Sequence, residues 1–373
     1  MERPIRVLVV DDAALMREML SDMLNDSPGI VVVGKARDGQ DAIRKVAELR
    51  PDVITLDVQM PGIGGIETLE AILAEHPIPV IMVSALTQRA AEITWQALEC
   101  GALDYVPKPQ TKLETDGPFR EELIRKVRAM AGADVVRLLR IRNAHVSKAS
   151  ARTALRRDAQ CSAAAEASNN FTDCCVAIGI STGGPPALSV LFQSLTPPLP
   201  PIVVVQHMPS TFTAPFACRL DSISRLSIKQ AETGDLLQPN QVLIAPGGRH
   251  LHLRRQGSRV TAEISDSDPV SGHRPSVDVM MVDAAAVFGA RCLGVIMTGM
   301  GHDGAAGCAA IRQAGGYVLG QDAATSDVYG MNRVAYVNGA VDRQFALNDL
   351  PLLLTRQAAQ QFGSKRGIVA ATV

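Results

Sequence analysis

Along most of the chain, short runs of Val, Ile and Leu alternate with stretches whose apolar residues recur at helical spacing. Val7-Leu8-Val9-Val10 ends in Asp11-Asp12, and Leu15, Met16, Met19, Leu20, Met23 and Leu24 then form a helical stripe. Asn25 to Gly29 has turn chemistry, Ile30 to Val33 reads as a second strand, and Ala42, Ile43, Val46 and Leu49 mark a helix that stops before Pro51. Val53 to Leu56, Val80 to Val83 and Tyr105-Val106 add further strands, and Phe119 to Met130 is an amphipathic helix. Runs that are apolar throughout, rather than alternating, belong to strands covered by helices on both faces. The first part of the chain is therefore expected to be α/β, a doubly wound parallel sheet of the flavodoxin-like order.

The pattern breaks between about 132 and 170. There Arg137, Arg140, Arg142, Lys148, Arg152, Arg156 and Arg157 outnumber Asp134, Asp158 and Glu166, and Ala is abundant from Ala149 to Ala167. This is the composition of a solvated, partly helical linker; a basic docking arm for an acidic partner is the alternative. A second α/β pattern comes next. Its strands are Val176–Ile180, Ile202–Val205, Val242–Ala245, Arg259–Ile264, Leu293–Met297 and Tyr317–Leu319, and its helices are Val279–Phe288 and Ala305–Ala314. The turn-rich Pro246-Gly247-Gly248 predicts a hairpin excursion near the middle. The expected division is a domain over 4–125, a linker over 126–170 and a larger, also doubly wound domain over 171–362.

Composition narrows the function classes. A length of 373 residues suits about two domains of ~150 residues, and 47% hydrophobic residues exclude disorder throughout. With 37 Lys+Arg against 38 Asp+Glu, the chain lacks the basic excess of a nucleic-acid binder. Aromatics at 3% argue against base stacking and for aliphatic sheet cores. No stretch approaches the ~20 apolar residues of a membrane span. Met1 to Arg6 is charged and runs straight into a strand, unlike a signal peptide. The seven cysteines are odd in number and without metal-ligand spacing, as expected of reduced thiols in a cytoplasmic protein.

Chemistry-bearing residues fall at strand ends. Asp11 and Asp12 come after the first strand, Asp57 after the third, Ser84 after the fourth and Lys108 after the fifth, on the edge where open α/β sheets build sites. Converging carboxylates repel one another unless a cation binds, and Mg²⁺ suits an all-oxygen set of this kind. A carboxylate also attacks phosphorus to give an acyl phosphate. Asp57, alone at its strand end, is the natural nucleophile, with Lys108 and Ser84 able to contact the phosphoryl group.

In the second half, Ser181-Thr182-Gly183-Gly184-Pro185-Pro186 is a Gly-rich turn between a strand and a helix. It reads either as a phosphate-binding turn or as a nucleophilic Ser181 beside an oxyanion site. The Gly-Lys-Ser/Thr ending of a P-loop is missing. Gln206-His207-Met208-Pro209 places a histidine after a second buried strand, and Gly301-His302-Asp303-Gly304 places an aspartate after another. Ser181, His207 and Asp303 then supply nucleophile, base and orienter. His302 is a rival base, although side chains of adjacent residues diverge. His250 and His252 form a His-x-His pair more consistent with a surface strand than with a metal site. His273 and Asp322 stand in turns as wall or loop residues.

These residues carry two resemblances. Asp11-Asp12, Asp57 with Met60-Pro61, Ser84-Ala85, Tyr105 and Lys108-Pro109 resemble the receiver domain of two-component response regulators. That resemblance implies phosphorylation of Asp57 by a chemotaxis histidine kinase, Mg²⁺ held by Asp11, Asp12 and Asp57, and switch positions at Ser84, Tyr105 and Lys108. It departs at Gly64, where an Asp is common and would cap the next helix. Ser181 to Pro185, Gln206 to Pro209, Ala245-Pro246-Gly247, Arg274-Pro275-Ser276-Val277-Asp278 and Thr298 to Gly304 resemble the catalytic domain of the CheB protein-glutamate methylesterases. That second resemblance implies a serine hydrolase with Ser181 as nucleophile, His207 as base and Asp303 as its orienter. Thr182 and Met300 would shape the oxyanion turn, and the hydrolase needs no cofactor. The implied substrates are glutamate methyl esters and certain glutamines of methyl-accepting chemoreceptors, acted on in the cytoplasm without nucleic acid or membrane insertion. Asn332 stands where a Pro is usual, and Ala323 where an acid is common.

Overall fold

The computed structural model describes residues 3–85, 87–109, 117–141, 171 and 173–362. In the N-terminal unit the strands β1 (Ile5–Val10), β2 (Ile30–Ala36), β3 (Val53–Asp57), β4 (Val80–Ser84) and β5 (Asp104–Pro107) lie in the order β2-β1-β3-β4-β5. All are parallel, and β3 and β4 are buried along their whole length, which is why they read as unbroken apolar runs. The helices are α1 (Ala14–Asn25), α2 (Gly39–Leu49), α3 (Gly65–Glu75), α4 (Gln88–Cys100) and α5 (Pro118–Met130). Asp38 caps α2 and Thr87 caps α4 through their side chains, whereas Gly64 offers α3 no such cap.

The boundary expected after 125 is too early, since it cuts α5. That helix runs to Met130, and beyond it Val135 and Leu138 are buried against Leu123 and Val127 in the same core. Burial of these apolar residues ties the segment through 141 to the first unit. Arg142, Lys148, Arg152, Arg156 and Arg157, and with them the docking-arm alternative, lie outside the described residues.

The second unit is built on seven parallel strands: β6 (Cys175–Ile180), β7 (Ile202–Gln206), β8 (Ser227–Gln230), β9 (Gln241–Ile244), β12 (Cys292–Ile296), β13 (Tyr317–Gln321) and β14 (Arg343–Phe345). Their order is β14-β13-β12-β6-β7-β9-β8. The chain leaves the central β6 to one side and later returns to its other side with β12, so the topological switch point lies between β6 and β12. Strands β10 (His250–Gln256) and β11 (Arg259–Ser265) form a separate antiparallel hairpin. The excursion is therefore there, but Gln241–Ile244 pairs in the main sheet and the hairpin partner is the His-x-His segment. Helices α6 (Gly184–Ser194), α7 (Ser210–Ile223), α8 (Val277–Phe288), α9 (Ala305–Gln313), α10 (Met331–Val337) and α11 (Leu350–Phe362) cover the sheet. Pro215 inside α7 hides that helix from a sequence reading.

The two units meet where α4 packs on α7. Trp95 lies 4.8 Å from Phe216 between ring centroids, and Tyr105 stacks on Phe212 at 4.7 Å. A bidentate pair joins Arg219 to Glu99 at 3.0 and 2.8 Å on the rim of this seam. Among the described residues, no helix is long and apolar enough to cross a membrane.

Candidate active site and acidic pocket

Strand ends place the hydrolytic candidates. Ser181 comes directly after β6, His207 directly after β7, and Asp303 lies in the loop after β12, so all three meet over the switch point. Ser181 is nearly buried, and its backbone N–H donates to Thr298 O at 3.0 Å across the switch point. Glycine is required at two places around it. Gly183 has φ +76°, and a Cβ on Gly299 would stand 2.9 Å from that of Ser181. Gln206 Nε2 donates to the carbonyls of Ser181 and His207, at 3.0 and 3.1 Å, and fixes the two loops against each other.

His207 Nδ1 stands 3.2 Å from Ser181 Oγ, and His207 Nε2 stands 2.8 Å from Asp303 Oδ2. An ionised Asp303 only accepts, so the ring proton sits on Nε2 and leaves Nδ1 free to accept the serine proton. Asp303 is 1% exposed, yet its carboxyl is charged. Burial pushes its pKa up, but hydrogen bonds from His207 and from the backbone N–H of Asp278 and Val277 prevail and hold it at about 2. Val277 N and Asp278 N are the first N–H groups of α8 and donate at 2.8 and 2.9 Å, so a helix N-terminus faces the carboxylate. Asp278 returns the arrangement: its Oδ1 accepts from Gly304 N and Gly307 N at 2.9 and 2.7 Å at the start of α9. Each of the two helices thus holds the carboxylate that precedes or begins the other.

Thr182 is buried in the turn after Ser181, and Met300 lies on the opposite lip of the cleft. Among the described residues the backbone N–H of neither donates to a protein acceptor. Asn332, at the position expected to be Pro, is buried and donates to Gln321 O and Ser326 Oγ, both at 2.8 Å. Gln321 in turn accepts from Thr298 N at 2.9 Å, so Asn332 braces the strand end behind the turn. Nothing in the structure gives Ala323 a role.

The rival residues separate. His302 is exposed at the cleft mouth and does not contact Ser181. His273, left between wall and loop by sequence, stacks flat on His207 with centroids 3.9 Å apart and an interplanar angle of 8°. Burial and the neighbouring His207 lower its pKa to about 4, so it stays neutral at neutral pH. His250 is fully buried rather than on a surface strand, because the hairpin folds that face inward onto α8. His252 pairs with Asp283 at 2.7 Å. Asp322 is a turn residue, accepting from Thr325 N and Oγ1 at 2.9 and 2.7 Å. Sequence reasoning gives no role to Ser276, whose Oγ donates to Asp303 Oδ1 at 2.8 Å. Its N-cap position before Val277-Asp278-Val279 and its place in the motif block Arg274–Asp278 are the signals available.

A cavity of about 540 Å³ lies over Ser181 and His207, and its opposite wall comes from the first unit. Asp104, Tyr105, Glu121, Glu122, Arg125 and Lys126 line that wall.

In the first unit, carboxylate oxygens of Asp11, Asp12 and Asp57 lie within 4.8 Å of one another. Asp11 and Asp57 are buried and Asp12 is exposed. Lys108 Nζ stands 2.8 Å from both Asp11 Oδ2 and Asp57 Oδ2. Burial pushes the Asp57 carboxyl up, Lys108 draws it down, and Asp11 adds to the rise; the net shift is upward. Ser84 is buried, and its Oγ accepts from Thr94 Oγ1 at 2.7 Å. Tyr105 is buried with its hydroxyl unpaired, against Trp95 and Phe212.

A receiver-type α/β unit packed over the strand-end Ser, His and Asp of a second α/β unit defines a response regulator with a serine-hydrolase output domain. The comparisons with known proteins agree. Residues 7–115 match the response regulator receiver domain model and residues 176–354 the CheB methylesterase model. A protein-glutamate methylesterase/protein-glutamine glutaminase of Pyrococcus abyssi is 41% identical over 95% of this chain and 94% of its own. One from Symbiobacterium thermophilum is 43% identical over 96% of this chain and 98% of its own. The crystal structure of the Thermotoga maritima CheB methylesterase catalytic domain is 39% identical, covering 49% of this chain and 97% of its own, with a TM-score of 0.48. The chain belongs to the CheB protein-glutamate methylesterase family.

Proposed function

We propose that the protein is a phosphorylation-regulated hydrolase of glutamate γ-methyl esters on methyl-accepting chemoreceptors, releasing methanol, and that it deamidates receptor glutamines at the same site. The observation that carries this reading is the hydrogen-bond line Ser181 Oγ, His207, Asp303, at 3.2 and 2.8 Å. Ser181 Oγ attacks the γ-acyl carbon as His207 Nδ1 takes its proton, and Asp303 stabilises the imidazolium through Nε2–H. The oxyanion lies in the turn between Thr182 and Met300, whose free backbone N–H groups suit it. Collapse breaks the acyl–oxygen bond, and methanol leaves with the proton from His207. Water then attacks the acyl-enzyme, giving its proton to His207, and the freed Ser181 recovers one. For a glutamine the leaving group is ammonia.

Regulation, in this reading, starts at Asp57, which accepts a phosphoryl group from a chemotaxis histidine kinase. The all-oxygen set of Asp11, Asp12 and Asp57 fits a hard divalent cation such as Mg²⁺, which when bound neutralises charge on the phosphoryl oxygens. Lys108 provides a fixed ammonium beside the same oxygens. The receiver covers the hydrolase cleft, as its residues along the cavity wall support, and phosphorylation shifts the balance towards an uncovered arrangement. The working units are a receiver through about residue 141 and a hydrolase over 171–362, joined by the basic segment, in the cytoplasm.

The test is methanol release from purified methylated receptors, with and without a small phosphoryl donor. Release that rises with the donor and is lost in Ser181→Ala is expected. Undiminished release by Ser181→Ala would sink the proposal.

A further inference from the structure

Behind the triad a second hydrogen-bond line runs into the protein interior. Ser276 is fully buried at the N-cap of α8. Its hydroxyl donates to Asp303 Oδ1 at 2.8 Å, while its own oxygen accepts from Val279 N on the helix side at 3.4 Å. A hydroxyl has one proton to give, and here it goes to the carboxylate. The Ser276 backbone N–H donates to His250 Nδ1 at 3.2 Å, and His250 Nε2 donates to Asp268 O at 3.1 Å. Those two partners set the tautomer of His250 as neutral with its proton on Nε2, and burial lowers its pKa in keeping with that. The cis Arg274-Pro275 bond precedes this segment.

We infer that Ser276 is a positioning residue for the hydrolytic reaction, a fourth member of the line Ser181–His207–Asp303, held in place by His250. This rests on the reading of Ser181 as nucleophile. The geometry gives Asp303 two faces. Oδ2 receives His207 and Val277 N, and Oδ1 receives Ser276 Oγ and Asp278 N. The donors on Oδ1 keep the carboxylate from rotating, so Oδ2 stays in line with His207 Nε2. They also draw charge away from Oδ2 and moderate its pull on the imidazole proton. Other ionisable groups near the line are His273 on the face of His207, Asp278, whose carboxyl accepts from the start of α9 and also lies beside that of Asp303, so that burial and this neighbour push it up, and His302 and Arg125 along the cleft. Ser276 Oγ is the hydroxyl that donates to Oδ1 of Asp303, at 2.8 Å.

The experiment measures labelling of Ser181 in the full-length protein by a fluorophosphonate probe as a function of pH, so no receptor substrate is needed. It compares wild type with Ser276→Cys, a near-isosteric weak donor, Ser276→Ala, and Ser276→Thr, which keeps the hydroxyl and the cap. The Cys and Ala variants are expected to label roughly tenfold more slowly, the loss of one hydrogen bond to a charged group. Their acid limb is expected to move to higher pH, because Asp303 without that donor favours the imidazolium more strongly. Ser276→Thr is expected to retain both rate and limb. Wild-type rate and limb in Ser276→Cys would overturn the inference. So would equal slowing of all three variants with the limb unmoved, which marks packing alone. If wild type took up no more probe than Ser181→Ala, the triad reading itself would fall and this inference with it. That outcome is read before any change at 276.

Discussion

The acidic pocket of the receiver and the triad of the hydrolase sit at equivalent places in two parallel sheets, yet they treat a buried carboxylate in opposite ways. Asp57 faces Asp11 and Asp12 with Lys108 as the near cation, and its pKa is raised. In the proposed reading this raised carboxyl is where a cation and a phosphoryl group would bind. Asp303 receives four donors, two of them from a helix N-terminus, and its pKa is held at about 2. Nothing is left for it to bind. In the proposed reading the first arrangement would change state on gaining a ligand, whereas the second is preorganised by its four donors.

The sharpest break of this contrast is Asp303→Asn. The amide loses the charge and turns an N–H₂ towards groups that are all donors. Hydrolytic activity is expected to fall by about 10⁴-fold, as measured by steady-state methanol release. The same charge makes a stability prediction. An Asp held near 2, against ~3.9 in an unfolded chain, contributes stability that is complete above about pH 4 and is lost as pH falls towards 2. Thermal melts of wild type should therefore fall off across that window, and those of Asp303→Asn should lack this part of the dependence. A parallel fall in both proteins would count against the assignment.

Asp57→Asn removes the acceptor from the undercompensated pocket. No alkali- and hydroxylamine-labile phosphoryl group should be incorporated from a small phosphoryl donor, and the donor should no longer raise methanol release. Incorporation at wild-type level would place the acyl phosphate elsewhere. The smallest effect is expected at the seam between the two regions. The Arg219–Glu99 pair is partly exposed, and pairs of that kind contribute ~0.2–1 kcal/mol. Arg219→Glu replaces it with like charges and should raise donor-free methanol release by about two- to fivefold, less at high salt. No rise at low salt would mean that this pair does not help to hold the receiver over the cleft.

Much of this organisation is legible in the chain. Short, nearly apolar runs bounded by turn residues, such as Val53–Leu56 and Ile202–Val205, read as buried parallel strands, and the residue after each then lies at the same edge of a sheet. Asp57, Ser181 and His207 are placed by that argument, and the motif blocks around them supply the family. Less legible are elements whose local signal conflicts with their packing. Helix α7 carries Pro215 in its interior, and the inward hairpin buries His250 where alternation suggests a surface. The core of the first unit takes in Val135 and Leu138, two apolar residues in a basic stretch that cluster with Leu123 and Val127 of α5, and only that burial assigns them.

The sequence by itself determined the two sheets, the strand ends that carry chemistry and the family, because apolar periodicity and strand-end position are properties of neighbouring residues. Tertiary structure alone decided the rest. It set His207, not His302, beside Ser181, with Nδ1 towards Ser181 and Nε2 towards Asp303, laid His273 on His207, brought Ser276 to the carboxylate and set Tyr105 against Phe212 of the other unit. Ser276 and Asp303 are 27 residues apart and Tyr105 and Phe212 belong to different units. Contacts of that kind come from the crossing of helices and loops over the sheet edge, which no local pattern records.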